Sequence, residues 1–352
     1  MKQNRKNLYS FCFVFNLERR NISMTLLKIK KTLQPLIVEG KIIFGFGQDG
    51  IERSIEKSEL NIDILKVLNG EKEREHLTIS TEEFNNKVEA LKDLGLLTIN
   101  DYDKQYKYSR NINFFEWMDI SNNTDPSIYQ RKLNKAHVLI VGLGGIGANV
   151  CEILARLGIQ TFTIIDNDRI DETNLTRQGT YFKEDIGKNK VDRVEKYIKK
   201  IDSKINVNKI NKYLATKNDL QEIFKKYNFD ISICCADTPK HEIDVWFDDL
   251  SIEFNKPFIS GSYASTVINT FCMNPNLTIT SSELYGEQGA PREQLLENIT
   301  FSTSVIAPVT YMAAGLISYQ AFSVITQLNY KPEAIQIDLF NWNVYKYDLK
   351  KK

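Results

Sequence analysis

Histidine and cysteine are scarce in this chain of 352 residues: three histidines (His76, His137, His241) and five cysteines (Cys12, Cys151, Cys234, Cys235, Cys272). The histidines are too scattered for a zinc helix of the H-E-x-x-H kind. No two cysteines form a C-x-x-C pair, so no zinc is expected. An odd, irregularly spaced set of thiols also argues against a disulfide framework and points to a reducing, cytoplasmic compartment. Charge of one sign is lacking too: 46 Lys+Arg stand against 45 Asp+Glu, a net charge of +1. Neither nucleic acid nor a membrane is therefore an expected partner.

A long uninterrupted apolar run is also missing. Residues 305–328 come nearest, but they include Pro308, Tyr311, Tyr319 and Gln320. They read as a buried helix with proline in its first turn rather than a membrane span. At the N-terminus, Phe11 to Phe15 follow Lys2, Arg5 and Lys6. That apolar core is very short and no small-residue cleavage site follows it, so secretion is not expected. Met24 is an alternative start, heading a better-patterned segment.

With 42% hydrophobic and 26% charged residues, the composition is that of an ordinary globular protein. The length allows roughly two domains. The texture changes near Asp103, which divides the chain into residues 1–103 and 104–352. In the first part, Leu36–Val38 and Ile42–Phe44 flank Glu39-Gly40-Lys41 and read as a hairpin. Leu60, Ile64, Leu65 and Leu68 form a helical stripe ending before Gly70. Ser80-Thr81-Glu82-Glu83 opens a second helix with a capping box, and Gly95 stands where a C-terminal glycine belongs. Leu96–Ile99 closes a small, winged-helix-like unit.

The second part alternates strand and helix as a doubly wound α/β sheet does. Val138–Val141 is a buried strand, and Gly142-Leu143-Gly144-Gly145-Ile146-Gly147 turns it into a helix stopped by Gly158. That G-x-G-x-x-G lets the backbone approach a phosphate at a helix N-terminus. Asp166, at the end of strand Phe162–Ile165, can accept from ribose hydroxyls. Ile231–Cys235 is a later strand, its two cysteines read as buried, with Asp237 just past it. The glycines alone say only that an adenosine nucleotide binds. Asp168, Asn174, Arg177, Gln178 and Lys190 follow, and a dehydrogenase has no need of that Arg and Lys. A triphosphate does need them, and Asp237 could hold Mg²⁺ beside it.

In this order the motifs resemble those of the ThiF/MoeB/ubiquitin-activating superfamily of adenylating enzymes: GxGGxG, D-x-D, N-L-x-R-Q, G-x-x-K and an Asp after a hydrophobic strand. The resemblance covers about residues 108–327. It implies a Rossmann-like ThiF-type adenylation domain with ATP and Mg²⁺. By the same resemblance Gly145 lies against the nucleotide and Asp166 on the ribose. Asn174, Arg177, Gln178 and Lys190 line the triphosphate, and Asp237 meets the metal. Tyr108-Ser109-Arg110-Asn111 resembles R-Y-x-R-Q, which implies a homodimer with Arg110 acting in trans; Tyr129-Gln130-Arg131 competes for that role. No cysteine follows Cys272, so thioester transfer from a crossover loop, read over residues 281–298, is not expected. The first part resembles the peptide-clamp domains of the MccB-like branch, with PaaA-like enzymes beside it. The resemblance thus implies adenylation of a carboxyl on a ribosomally made precursor peptide. Two alternatives stay open: a MoeB-like enzyme acting on a sulfur-carrier protein, and a non-catalytic peptide-docking subunit.

Overall fold

The computed structural model describes residues 26–102, 106–239, 242–285 and 304–351. The possible leader, the Met24 start and most of the crossover segment lie outside them. The chain divides into two compact units, residues 1–127 and 128–352.

The first unit holds two small antiparallel sheets. Strand β1 (Lys28–Ile29) is paired later by β5. β2 (Leu36–Val38) and β3 (Lys41–Phe44) form the expected hairpin. Its two turn residues, Glu39 and Gly40, both have positive φ (46° and 78°), the turn that matches strand twist. A third strand, β4 (Arg53–Glu56), completes this sheet and escaped the sequence pattern. Helix α1 (Glu59–Leu68) is capped by Ser58, and α2 (Thr81–Asp93) by Ser80, whose hydroxyl accepts from the Glu83 N–H. After α2 the Gly95 N–H bonds the Lys92 carbonyl and the Leu96 N–H bonds that of Leu91, a left-handed stop. β5 (Leu97–Thr98) then pairs with β1, not with the hairpin, and α3 (Ser109–Met118) follows. Buried Glu116 of α3 accepts hydrogen bonds from Thr32, Thr98 and Tyr102, and the Lys30 ammonium donates to the Asp119 carbonyl. These bonds leave the buried charges partnered.

The second unit contains α4 (Ser127–Lys135), β6 (His137–Val141), α5 (Gly147–Leu157), β7 (Thr161–Ile165), α6 (Lys190–Ile201), β8 (Asn206–Ile210) and α7 (Lys217–Lys226). The chain continues as β9 (Ile231–Cys234), α8 (Ile243–Phe254), β10 (Phe258–Ala264), β11 (Val267–Met273), α9 (Ser281–Tyr285), α10 (Ala307–Thr326), β12 (Glu333–Asp338) and β13 (Asn343–Asp348). Eight strands form one sheet in the order β13-β12-β11-β10-β9-β6-β7-β8. β8 through β10 run parallel, and β10 to β13 are an antiparallel meander. The chain winds outward from β6 to β8 and returns to β9 on the other side of β6. That reversal opens a crevice beyond the carboxyl ends of β6 and β9.

Parallel strands are covered on both faces, so β6, β7 and β9 read as apolar runs. Helix α10, with proline in its first turn, packs on α5, β10 and β11. It is the one helix among the described residues long and apolar enough to span a membrane, and 67% of its apolar window is buried within the protein. The sequence reading put Cys235 inside the strand. The strand ends at Cys234, and Cys235 lies past it, half-buried.

Gly95 and Gly40 provide a paired test. Both have positive φ, but a Cβ on Gly40 meets open space, whereas one on Gly95 comes within 2.4 Å of the Ile120 carbonyl oxygen. Gly40→Ala is expected to cost about 1 kcal/mol and Gly95→Ala clearly more, read from urea unfolding midpoints.

Candidate active site

The site begins with a backbone contact. β6 ends at Val141, whose carbonyl accepts from the Cys235 N–H at 2.8 Å. Gly142 turns with φ +87°, and a Cβ there would stand 2.7 Å from the Ala236 nitrogen. A Cβ on Gly147 would lie 1.8 Å from the Gly142 oxygen, and one on Gly145 would press on the Thr310 methyl at 2.9 Å. These three glycines are packing requirements. Gly144 differs: a Cβ there meets nothing, and the residue lines an open cleft. α5 starts at Gly147 with no side-chain cap, so its first N–H groups face this turn.

The charged groups stand at the end of β7. Asp166 accepts from the Leu143 N–H (2.6 Å) and the Asp168 N–H (2.7 Å), tying the glycine turn to the acidic loop. Burial pushes the Asp166 carboxyl above its usual range, against the attraction of Lys190. The Lys190 ammonium, 6% exposed as a residue, lies 2.7 Å from Asp168, whose side chain is more than half exposed. A buried cation thus reaches the cleft hydrogen-bonded to solvated Asp168 and attracted by buried Asp166. Cys235 lines the same cleft, and burial pushes its thiol up to about 12, so it is a neutral wall group.

The third side is the loop after the short 3-10 turn Glu172–Thr176. The Asn174 side chain closes a capping box on Asp171. Arg177 donates to the Thr173 carbonyl at 2.8 Å. Its Nε and the Gln178 Oε1 are buried without hydrogen-bond partners, and both residues line the cleft. Asn149 of α5 holds this loop: its amide donates to the Gly145 and Arg177 carbonyls (2.8 and 3.3 Å) and accepts from the Gly179 N–H (3.0 Å). Thr310 of α10 adds a bond to the Arg177 carbonyl at 3.1 Å. Neither Asn149 nor Thr310 was flagged in the sequence; the glycine motif leaves its other positions free, and Thr310 arrives from a distant helix.

One cleft of about 640 Å³ gathers Gly142, Gly144, Gly145, Asp166, Asp168, Asn174, Arg177, Gln178, Lys190 and Asp237. Gly147 acts from behind the wall. Arg110 is not among the described lining residues; it belongs to α3, in the first unit. Lys212, Tyr213, Asp244 and Ser260 to Tyr263 also line the cleft and were not anticipated. Lys212 and Tyr213 follow β8, Asp244 lies in the first turn of α8, and Ser260 to Tyr263 belong to β10; no motif marks them.

A nucleotide triphosphate suits this lining: an open glycine, a helix N-terminus and the Lys190 cation face the space, and Arg177 and Gln178 line it. Among the described residues no group of three His, Cys, Asp or Glu could hold a metal by itself. Mg²⁺ needs no such cage, since one or two carboxylates with phosphates and water suffice, and exposed Asp237 fits that role.

The ThiF family profile matches residues 108–352. Among curated proteins the chain is 33% identical over 133 residues to the adenylyltransferase and sulfurtransferase UBA4 of Meyerozyma guilliermondii, and 34% identical over 142 residues to that of Aspergillus niger. These matches take in 38% and 39% of this chain, and the chain spans only 30% and 27% of those proteins. Among solved structures it is similar to Escherichia coli MccB with ATP: 25% identity, TM-score 0.75, covering 93% of this chain and 97% of that one. The microcin C7 biosynthetic enzyme MccB in complex with N-formylated MccA gives a TM-score of 0.76 at the same identity and coverage. PaaA shares the fold at 21% identity and TM-score 0.72, covering 92% of this chain and 100% of that one.

Asn149→Ala is expected to strand the Gly179 N–H and the Gly145 carbonyl together. The cost should be about 1 to 3 kcal/mol in urea unfolding, against less than about 0.5 kcal/mol for an exposed control such as Lys200→Ala.

Proposed function

The chain belongs to the ThiF family, and on that premise we propose that it uses ATP and Mg²⁺ to adenylate a carboxyl group on a ribosomally made precursor peptide. What carries this reading is the reach of the likeness to MccB. It extends over nearly the whole chain, the N-terminal unit included, whereas the sulfurtransferase relatives match little more than a third of it. Residues 1–103 would be the peptide clamp and 104–352 the adenylation domain. In the three-stranded sheet, β2 has β3 as its one neighbour among the described residues and exposes Leu36 and Ile37, a surface suited to strand addition by an extended peptide.

The residues take these roles. Asp166 accepts from the ribose hydroxyls, and Asp168 keeps the Lys190 ammonium aimed at the phosphates. Gly142, Gly144, Gly145 and Gly147 let the turn and the α5 N-terminus approach the phosphate chain. Asn174, Arg177, Gln178 and Lys190 contact the triphosphate through their N–H donors, the two side-chain amides, the guanidinium and the ammonium. Arg110 would reach the site of a second protomer in a homodimer. The peptide carboxylate oxygen attacks the α-phosphorus in line, the bond to the bridging oxygen breaks, and pyrophosphate leaves with both electrons of that bond. The chain's own contribution is positioning and charge balance on the departing pyrophosphate by Lys190 and Arg177. Mg²⁺ at Asp237, when bound, would neutralise further phosphate charge.

A second reading comes from the UBA4 relatives: adenylation of a sulfur-carrier protein tail. The two separate on the identity of the acyl partner. Mass spectrometry of the peptide encoded beside the gene, after incubation with protein, ATP and Mg²⁺, should show a peptide–AMP adduct or loss of water, with pyrophosphate released. An unmodified peptide, with pyrophosphate released only when a small carrier protein is supplied, would favour the second reading. Lys190→Ala should lower pyrophosphate release at least about 100-fold, with a modest fall in the unfolding midpoint because buried Asp166 loses the attraction that offsets its burial. Full activity in that variant would remove Lys190 from the site.

A further inference from the structure

A buried hydroxyl meets the glycine turn from behind. Tyr181 follows the loop that carries Arg177 and Gln178, and its ring is buried. The phenol donates to the Leu143 carbonyl at 2.9 Å. A carbonyl only accepts, so the phenol proton is committed to this bond. Burial first, and then the nearby Asp166 carboxylate, push the phenol well above its ordinary range, so it keeps that proton.

The consequence falls on the next residue. The Leu143–Gly144 peptide is trans, since the one cis peptide among the described residues is Thr238–Pro239. In a trans peptide the C=O and N–H point in opposite directions. With the carbonyl turned inward to Tyr181, the Gly144 N–H turns outward, on a residue that lines the cleft. That N–H has no partner among the described residues, whereas the Gly144 carbonyl accepts from the Ala148 N–H at 3.2 Å. Gly144 itself does not fix the plane. It has no Cβ, and open space lies where one would stand, so the backbone there is free to turn the peptide over. The Tyr181 hydroxyl is the donor that holds the carbonyl side, as Asp166 holds the Leu143 N–H at 2.6 Å.

We propose that Tyr181 is a positioning residue for the nucleotide phosphates: its hydroxyl locks the Leu143–Gly144 peptide with the N–H presented to an incoming phosphate oxygen. The inference rests on the ATP-dependent function above. A donor already aimed needs no reorganisation when the anion arrives. A peptide turned over would present its carbonyl oxygen instead, and that dipole repels phosphate.

Tyr181→Phe tests it in the full-length protein, because it keeps the ring and removes the bond. Calorimetry with Mg²⁺ present would give the affinity for ATP. Competition against ATP would give that for adenosine, which carries base and ribose but no phosphate. The expected result is an ATP affinity at least about fivefold below wild type, with adenosine unchanged within about twofold. Equal losses for the two ligands would make Tyr181 a support of the fold alone, and an unchanged ATP affinity would make its hydroxyl idle; either overturns the inference. Should the variant fail to fold, the wild-type chain carrying isotope-labelled glycine gives a second reading by NMR. The Gly144 amide signal, identified by its absence from Gly144→Ala, should move downfield with ATP and stay in place with adenosine. A signal indifferent to bound ATP would overturn the inference alone. A chain that binds no ATP would overturn the adenylating function, and this inference with it.

Discussion

The whole site hangs on the close approach of two backbones. The glycine turn after β6 and the segment after β9 touch so tightly that a Cβ at Gly142 has no room, and the turn folds so closely on itself that one at Gly147 would meet the Gly142 carbonyl. The contact brings residues almost a hundred positions apart, Gly142 and Asp237, to one crevice. It also sets the start of α5, and through Asn149 the loop carrying Arg177 and Gln178. Side chains can be exchanged around such a frame, but the frame itself requires hydrogen at the α-carbon.

On that frame the charge is arranged unevenly. Asp166 spends both oxygens on backbone N–H groups, and burial raises its carboxyl. Lys190 is buried but reaches a solvated Asp168. An exposed carboxylate holds a cation only weakly, so the ammonium can turn to a phosphate at small cost. In the adjoining loop the Arg177 Nε and Gln178 Oε1 are buried without hydrogen-bond partners, so the fold leaves polar capacity unused beside the cleft.

What could be read in the sequence follows from how local each signal is. The glycine turn, the place of Asp166 at a strand end and the Ser80 cap of α2 depend on residues a few positions apart and form where the spacing expects, although of its expected capping box α2 shows the Ser80 bond to the Glu83 N–H. The strands that escaped notice carry little pattern. β1 is two residues long, β4 has Ile55 as its one apolar residue, and all six residues of β13 are exposed. Their pairing is decided by tertiary neighbours. Ser260 was equally hidden, because only the parallel register of β10 on β9 brings it to the crevice, and Asp244 arrives from the first turn of α8. Cys235 was misread for a related reason: an apolar run does not show where a strand gives way to the loop that lines a cleft.

The most direct test of the account is calorimetric titration of the full-length protein with ATP and, separately, NAD, in the presence of Mg²⁺. The account predicts one saturable ATP site per chain, weakened at least about tenfold by Lys190→Ala, and no comparable binding of NAD. Binding of NAD in preference to ATP, or ATP affinity indifferent to the loss of Lys190, would contradict it.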